Sequence, residues 1–558
     1  MIVGLDMGGT HIDGVLIHKG KIINKIKNPT DRKDLFKTIW NALKQLLEGY
    51  DKNKINRINL STTISTNAIV EGKTSSVGMI IQSGPGLNYD FKGCGDEYAS
   101  ISGYIDHRGK IVSPLDEQEI EEIRRIFIEK NMETCAVVTK FSTRNPSHEL
   151  KIKKILEKDF STISMGHTLS GKLNFPRRVH TAYLNSAVYH TFNEFAMNIK
   201  KSLEEQGIDA PLFILKADGG TMDMESAQLK PVETILSGPA ASFMGINAMI
   251  PIEDDAVLLD IGGTTTDIFF VADGVPLFEP LGIRIDRYDT LVRAIYSVSL
   301  GLGGDSSIEI HDGNIKIGPD RKGPAIAFGG TNPTPTDAMV VLGKIHVEDM
   351  KRSYDSMKQM GNTLGLSPED FSKKVLDTMA DIIKEKVDRL LIEINSRPVY
   401  TVKEVLYGRK LEPKSINLIG GPANILAPIL EKKFNLPAYY PENYQISNAV
   451  GAALAKPTME INMIADTQRK ILSVPELGLY ENIDRGYDLN RARNRAIDII
   501  KKAAMDMGTL EDDIETDIME ESSFNMVDGF YTSGKNIRIK AQIKPGLIYN
   551  LRSEKFES

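Results

Sequence analysis

The chain has 558 residues, 41% hydrophobic and 26% charged, with a net charge of −7. This length exceeds one ordinary core and predicts about two to four domains. The modest negative charge excludes a bulk nucleic-acid binder with a basic face, and two cysteines, Cys94 and Cys135, exclude a disulfide framework or metal finger.

The chain opens directly into an apolar run, Ile2-Val3-Gly4-Leu5, with no basic or apolar leader before it. No apolar run reaches ~18 residues, so no membrane span is expected and the cytoplasm is the default compartment. Asp6-Met-Gly-Gly-Thr-His-Ile-Asp13 follows, then Gly14-Val15-Leu16-Ile17 and a turn at Gly20. Strand, carboxylate, glycine turn and strand predict a hairpin. Leu35, Ile39, Leu43, Leu46 and Leu47 mark a helix ending at Gly49. The strand Ile58-Asn59-Leu60 runs into Ser61-Thr62-Thr63. Val77–Ile81 and Ala136–Val138 read as strands, and Asp116 caps a helix carrying Ile120, Ile123, Ile126 and Phe127. Such alternation indicates α/β architecture. A long helix begins near Arg178, carries Val188, Phe192, Phe195, Ile199 and Leu203, and ends by Gly207; it is expected to connect two lobes.

Past that helix the opening phrase returns as Asp260-Ile-Gly-Gly-Thr-Thr-Thr-Asp267, again between apolar runs. Val387, Leu390, Leu391 and Ile394 mark a helix stopped before Pro398. Ser415–Ile419 reads as a strand leading into Gly420-Gly421-Pro422-Ala423 and a helix. Ser447–Ala453 begins a helix of small residues suited to close packing. In the tail, Arg491–Met507 reads as a helix and Asn536–Ile548 as a half-buried strand, with disorder expected at the extreme end. The expected division is 1–170, 171–459 and 460–558, the last a small α+β appendage.

Both copies of the phrase read D-x-G-G-T-x-x-D. Paired glycines let the backbone approach a ligand, and successive N–H groups make an anion-binding nest. An Asp at the strand tip would repel phosphate unless a divalent cation lies between them; Mg²⁺ is commonly held by one or two carboxylates with phosphate oxygens and water. Two such hairpins predict two lobes closing on one nucleotide. The strand–Gly420-Gly421–helix junction is suited to a flat ligand, and a helix N-terminus favours anions.

Phosphate, phosphate and adenosine segments in this order resemble the actin, sugar kinase and Hsp70 superfamily. The nearer resemblance is to the hydantoinase A / 5-oxoprolinase family. Its G-T-T-x-x-T-N-A segment is similar to Ser61–Ala68, and its F-S-x-x-N-P-x-H-E to Phe141–Glu149. Its S-N-G-G-x-M resembles Ala217–Met222, followed by Ser237-Gly238-Pro239-Ala240. Gly301–Ser306 and Gly329–Ala338 resemble G-A-G-G-G-S and G-G-T-x-P-T-x-T-D-A. Asp218, Asp305 and Ser61 depart from the family's Asn, Gly and Gly. The resemblance covers residues 1 to about 455 and leaves the tail unmatched.

It implies a two-lobed actin-like ATPase fold of duplicated ribonuclease H-like domains. It also implies ATP-dependent opening of a cyclic amide, hydantoin or 5-oxoproline in type. Phosphorylating the amide oxygen would make it a leaving group, and phosphoryl transfer asks mainly for positioning and charge neutralisation. Asp6 and Asp260 are assigned to Mg²⁺ and, alternatively, to orienting the attacking oxygen. Gly8, Gly9, Thr10, Gly262, Gly263, Thr264 and Thr265 are the expected phosphate donors, with Asp13 beside them. Gly420, Gly421 and Pro422 face the adenosine. Asp13 and Asp267 serve either this site or their own turns. Thr62, Thr63 and Asn67 either line the substrate site or cap a local turn. His148 has an acid–base or a structural role; Glu149 is read as structural. His11, His167 and Cys94 are left without a role. Expected ligands are ATP, Mg²⁺ and a small cyclic amide, with a hydantoinase B-like subunit or a second copy as partner. Two other functions fit the same residues: a subunit of an ATP-dependent ketone carboxylase, and an ATPase directed at a protein partner.

Overall fold

A computed structural model describes residues 1–9, 11–31, 33–86, 90–396, 410–509, 511, 514–528 and 530–551. Two six-stranded sheets carry the two hairpins. In the first, the order is Thr221–Asp223, Leu212–Leu215, Arg57–Thr62, Ile2–Met7, His11–His18 and Lys21–Pro29. In the second it is Val275–Pro276, Thr266–Ala272, Ala256–Ile261, Ser415–Ile419 and Ala438–Tyr439, with Ser297–Leu300 also paired to Thr266–Ala272.

The sheets repeat one plan. Ile2–Met7 pairs antiparallel with His11–His18 and parallel with Arg57–Thr62. Ala256–Ile261 pairs antiparallel with Thr266–Ala272 and parallel with Ser415–Ile419. Val3, Leu5, Val257 and Leu259 are all buried, as central strands covered on both faces require. The molecule is thus a two-lobed actin-like α/β fold with duplicated ribonuclease H-like sheets.

The first sheet draws strands from both sides of residue 170. Leu212–Ile214 lies parallel to Ile58–Leu60. A four-stranded parallel sheet, built from Glu97–Ser100, Val77–Gln82, Thr134–Thr139 and Ile163–Met165, is inserted between those two strands.

Helix boundaries follow local capping. Asp34 accepts from the Lys37 N–H at 2.9 Å to start Leu35–Leu46. Asp116 accepts from Gln118 N–H at 3.0 Å to start Glu117–Glu129, where Ile120, Ile123 and Phe127 are buried but Ile126 is exposed. The expected long helix is two helices, Phe175–Ala187 and Tyr189–Glu205, broken at Val188. Asn174 caps the first, with Pro176 in its opening turn, which sets the start before Arg178. The pair links the four-stranded sheet to the first six-stranded sheet, and its first helix also packs on residues 283–294. The helix expected to stop before Pro398 spans Pro368–Ser396; Pro398 itself lies outside the described residues.

The lobes meet through small residues. Helix Ser237–Met249 is apolar all round and almost wholly buried. Helix Ser447–Leu454 packs on it so closely that a Cβ at Gly451 would lie 2.1 Å from the Ala241 carbonyl, and one at Gly245 2.1 Å from the Ser447 carbonyl. The other side of that helix touches the first hairpin: a Cβ at Gly4 would lie 2.3 Å from the Ala449 carbonyl. This helix of small residues therefore wedges the second lobe against the first hairpin's strand.

Residues 460–543 form a five-stranded antiparallel sheet with one helix, Leu489–Asp506, on its face. Ile537, Ile539, Ala541 and Ile543 alternate into its core as expected. The strand ends at Ile543, short of the expected Ile548, because Pro545 and Gly546 follow. The expected terminal disorder falls on residues 552–558, outside the described residues.

Candidate functional site

The two glycine turns close alike. Gly8 N–H donates to the His11 carbonyl at 2.9 Å, and Gly262 N–H to the Thr265 carbonyl at 2.9 Å. In register, Asp6 faces Asp13 and Asp260 faces Asp267. Each turn thereby presents two carboxylates below a loop of glycines. Gly263 and Thr264 are exposed; Gly8 and Gly9 are half-buried; Thr10 lies outside the described residues.

The carboxylates of the two lobes sense one another. Asp6 is pushed up to about 7, first by burial, then by the charges of Asp13 and, more weakly, Asp260; Ser61 and Asn448 oppose the rise. Asp260 is raised by burial, held back by Ser242 and Lys27. Asp267 is pushed up to about 6 by burial and by Asp260. Asp13 is raised by burial, against the pull of Lys27. Lys27 Nζ donates to both Asp13 oxygens at 2.8 Å from the opposite strand position. Asp13 is therefore ion-paired across the sheet. Lys27 acts on Asp13 and, at longer range, on Asp260.

Ser242, outside the hairpins, holds Asp260, and Asn448 lowers the cost of charge on Asp6. Ser242 Oγ donates to Asp260 Oδ2 at 2.6 Å, and the Asn448 amide stabilises Asp6. Sequence reading placed Ser242 just past the Ser237–Ala240 segment and Asn448 in a packing helix, and gave neither a role. Only the convergence of the two helices on the hairpins shows what they do. Asp6 Oδ1 remains buried without a hydrogen-bond partner.

Gly420 brings the third segment in. Its φ is +91°, and a Cβ there would lie 2.2 Å from the Ile261 carbonyl and 2.8 Å from Asp260 Oδ1. Glycine is required here by both conformation and space. Gly421 faces open space, and Pro422 precedes helix Ala423–Phe434. The end of the second hairpin and the strand–helix junction are thus one surface.

A further segment wraps the second turn. Gly304 N–H donates to the Gly262 carbonyl at 2.9 Å and Asp305 N–H to the Gly263 carbonyl at 2.7 Å. Asp305 pairs with Arg321 at 3.0 Å. The carboxylate that stands in place of a family glycine thus carries its own counterion beside the phosphate turn.

Thr62, Thr63 and Asn67 support both of their readings. Thr62 Oγ1 accepts from Ile64 N–H at 3.2 Å, and Asn67 Nδ2 donates to Thr63 Oγ1 at 3.1 Å, which is local capping. Thr63 N–H also donates to the Met7 carbonyl at 3.3 Å. Thr63 and Asn67 line a cavity of about 150 Å³ together with Gly8 and Gly9.

His148 is placed elsewhere. It is buried on the four-stranded sheet, Nδ1 2.9 Å from Gln82 Oε1, and burial lowers its pKa. Glu149 accepts from Thr139 N–H at 2.8 Å, from His167 N–H at 3.1 Å and from the His167 ring. That pair braces the sheet. Cys94 is buried and its thiol pushed up to about 11, which suppresses the thiolate a nucleophile needs.

Among the described residues no three His, Cys, Asp or Glu side chains form a ready-made metal cage. The donor set instead suits a cation completed by phosphate and water, with Asp6 Oδ1 as an open acceptor. No described helix is long and apolar enough to cross a membrane.

Caprolactamase subunit alpha of Pseudomonas jessenii is 25% identical over 459 residues, covering 75% of this chain and 64% of that subunit. Acetophenone carboxylase gamma subunit of Aromatoleum aromaticum is 24% identical over 400 residues, covering 62% of this chain and 53% of that subunit. The chain therefore spans less than two thirds of either relative. The crystal structure of the ATP-dependent caprolactamase from Pseudomonas jessenii superposes with a TM-score of 0.72 at 20% identity, over 97% of this chain and 87% of that chain. The model of the hydantoinase/oxoprolinase N-terminal region matches residues 2–160, and that of hydantoinase/oxoprolinase matches residues 178–461. The chain belongs to the hydantoinase/oxoprolinase family.

Proposed function

We propose that this protein is an ATP-dependent hydrolase that opens a cyclic amide, of the hydantoin or 5-oxoproline kind, through a phosphorylated intermediate. The observation carrying this reading is the meeting of Asp6, Asp260 and Gly420: two duplicated carboxylate turns and a strand–helix junction on one surface. The family and the caprolactamase relative support the substrate class.

Gly8, Gly9 and Thr10 on one side, and Gly262, Gly263, Thr264 and Thr265 on the other, supply phosphate donors. Gly420, Gly421 and Pro422 accept the adenosine. Asp6 and Asp260 would hold Mg²⁺, which when bound would neutralise charge on the transferring phosphoryl group. Ser242 and Asn448 fix the orientation of those carboxylates. Thr63 and Asn67, beside the first turn, are candidate substrate contacts.

The amide oxygen of the substrate attacks the γ-phosphorus, and the bond to ADP breaks. Water then adds to the activated ring carbon, the C–N bond breaks with the proton passing to nitrogen, and a second water cleaves the resulting acyl phosphate to carboxylate and phosphate. The products are the ring-opened amino acid, ADP and phosphate. The protein acts in the cytoplasm, with a hydantoinase B-like subunit or a second copy completing the site.

A second reading, a subunit of an ATP-dependent ketone carboxylase, draws on the likeness to the acetophenone carboxylase subunit. Phosphate release from ATP, measured with a lactam and hydantoin panel and separately with a ketone plus bicarbonate, decides between them. Stimulation by cyclic amides supports hydrolysis. A rise only with ketone and bicarbonate replaces it with carboxylation, and a rise only with a protein partner makes the chain a partner-directed ATPase.

A further inference from the structure

Away from the hairpins, the first lobe meets the C-terminal sheet along a groove of about 380 Å³. Arg108 and Arg144 enter it from the first lobe, and Arg469 and Arg538 from the C-terminal domain. Among the described residues its lining contains one carboxylate, Asp466. In a chain of net charge −7, this is a reversed balance. Asp466 is already engaged, accepting from the Arg469 backbone N–H at 2.9 Å.

Among the described residues none of the four arginines forms an ion pair. Arg469 Nη1 donates to the Arg108 carbonyl at 2.7 Å, tying the two domains together over Gly109, where a Cβ would lie 2.3 Å from that nitrogen. Arg538 Nε donates to Asn536 Oδ1 at 3.0 Å. Arg144 is the deepest of the four. Its Nε and Nη1 are buried with no hydrogen-bond partner. Burial and the charge of Arg538 push it down to about 10, against the pull of Asp466.

A guanidinium keeps its charge inside proteins. A guanidinium with unused buried donors, such as Arg144, beside a second one, Arg538, is unfavourable unless an anion completes it. Their planar forks match carboxylate and phosphate oxygens. Four arginines around one groove call for more than one negative charge. There is room for a larger body: Arg144, Ile464, Phe524 and Arg538 also line a neighbouring groove of about 990 Å³.

We infer that this seam is a binding site for a small polyanion carrying two or more phosphate or carboxylate charges, with Arg144 and Arg538 as its principal contacts. The ligand bridges the first lobe and the C-terminal domain and holds them together. The site is separate from the nucleotide cleft and does not depend on the reaction proposed above.

Calorimetric titration of the full chain with pyrophosphate and with citrate tests this, with acetate as a singly charged control at matched ionic strength. At least one polyanion is expected to bind, and acetate not to. Which of the two binds identifies phosphate or carboxylate as the source. Arg144→Gln and Arg538→Gln are each expected to weaken that binding by about tenfold or more, the loss of a charged hydrogen bond. Both variants should retain the wild-type response to Mg²⁺-ATP, and Arg538→Gln should melt no lower than wild type without ligand, since it removes a like charge. The inference is overturned if neither polyanion binds, or if the Arg144→Gln/Arg538→Gln double variant binds as tightly as wild type. Pyrophosphate binding that Mg²⁺-ATP displaces, and that both variants retain, assigns the signal to the nucleotide cleft and equally overturns it.

Discussion

Replacing Asp6 with Asn should make the unliganded protein more stable while abolishing its ATP turnover. Burial and neighbouring carboxylates lift Asp6 from its ordinary 3.8 to about 7. At about 1.4 kcal/mol for each tenfold step in proton affinity, the ionised form costs roughly 4 kcal/mol at slightly alkaline pH. The sign follows from linkage. The folded chain holds this proton more tightly than the unfolded chain. Wild-type stability from this group is therefore greatest below 3.8, falls as pH rises, and levels off above about 7. Asn carries no charge, so the variant lacks this decline. For a lobe of roughly 150–250 residues, about 2–4 °C accompany each kcal/mol, so the gain is on the order of 10 °C at most. The assay is thermal unfolding of both proteins at pH 5 and pH 8, with and without a Mg²⁺-bound ATP analogue, alongside phosphate release. The Asn variant should melt higher than wild type at pH 8, differ less at pH 5, and gain little from the Mg²⁺-nucleotide. A variant that melts lower at pH 8, or still turns over ATP, refutes the reasoning.

Ser242→Ala removes the 2.6 Å hydrogen bond to Asp260; at about 1.5–3 kcal/mol for a charged partner, kcat for ATP hydrolysis should fall roughly 10- to 100-fold, whereas an unchanged kcat would remove Ser242 from the site. Gly420→Ala forces a Cβ to within 2.2 Å of the Ile261 carbonyl at a φ of +91°, so nucleotide affinity, read by calorimetry, should be lost together with about 1–3 kcal/mol of stability. Glu149→Gln breaks a buried pair with His167 and should destabilise by about 3–5 kcal/mol in denaturant unfolding while leaving the KM for ATP unchanged; a selective rise in KM would give that cluster a role in the site. Thr63→Val should raise the KM for the cyclic amide more than that for ATP if Thr63 contacts substrate, and leave both unchanged if it only caps the following helix.

Much of the site was legible because duplication is a sequence signal. The repeated D-x-G-G-T-x-x-D located both turns, and register in the sheets placed the paired aspartates as the phrase implied. The strand ending at Ile419 and the glycines after it were equally readable. Three things were not. The long helix broke at Val188, although apolar periodicity runs through both halves, because periodicity reports a buried face and not continuity. Asp13 was left between the site and its own turn, and its partner Lys27, on the next strand, was not foreseen because that cross-strand contact is set by register. Ser242 and Asn448 sit on helices whose composition signals packing alone; their role comes from where those helices end up. Glu149, read as structural, does hold its own sheet through His167, and His148, left with two readings, sits against Gln82 in that sheet.

The central claim is that both hairpins grip one nucleotide. A crystal structure of the full chain with Mg²⁺ and a non-hydrolysable ATP analogue tests it most directly. The account predicts phosphates between Gly8-Gly9 and Gly262-Gly263, the cation at Asp6 and Asp260, and adenosine against Gly420 and Gly421. A nucleotide bound elsewhere, or one touching a single hairpin with Asp6 left out, would contradict it.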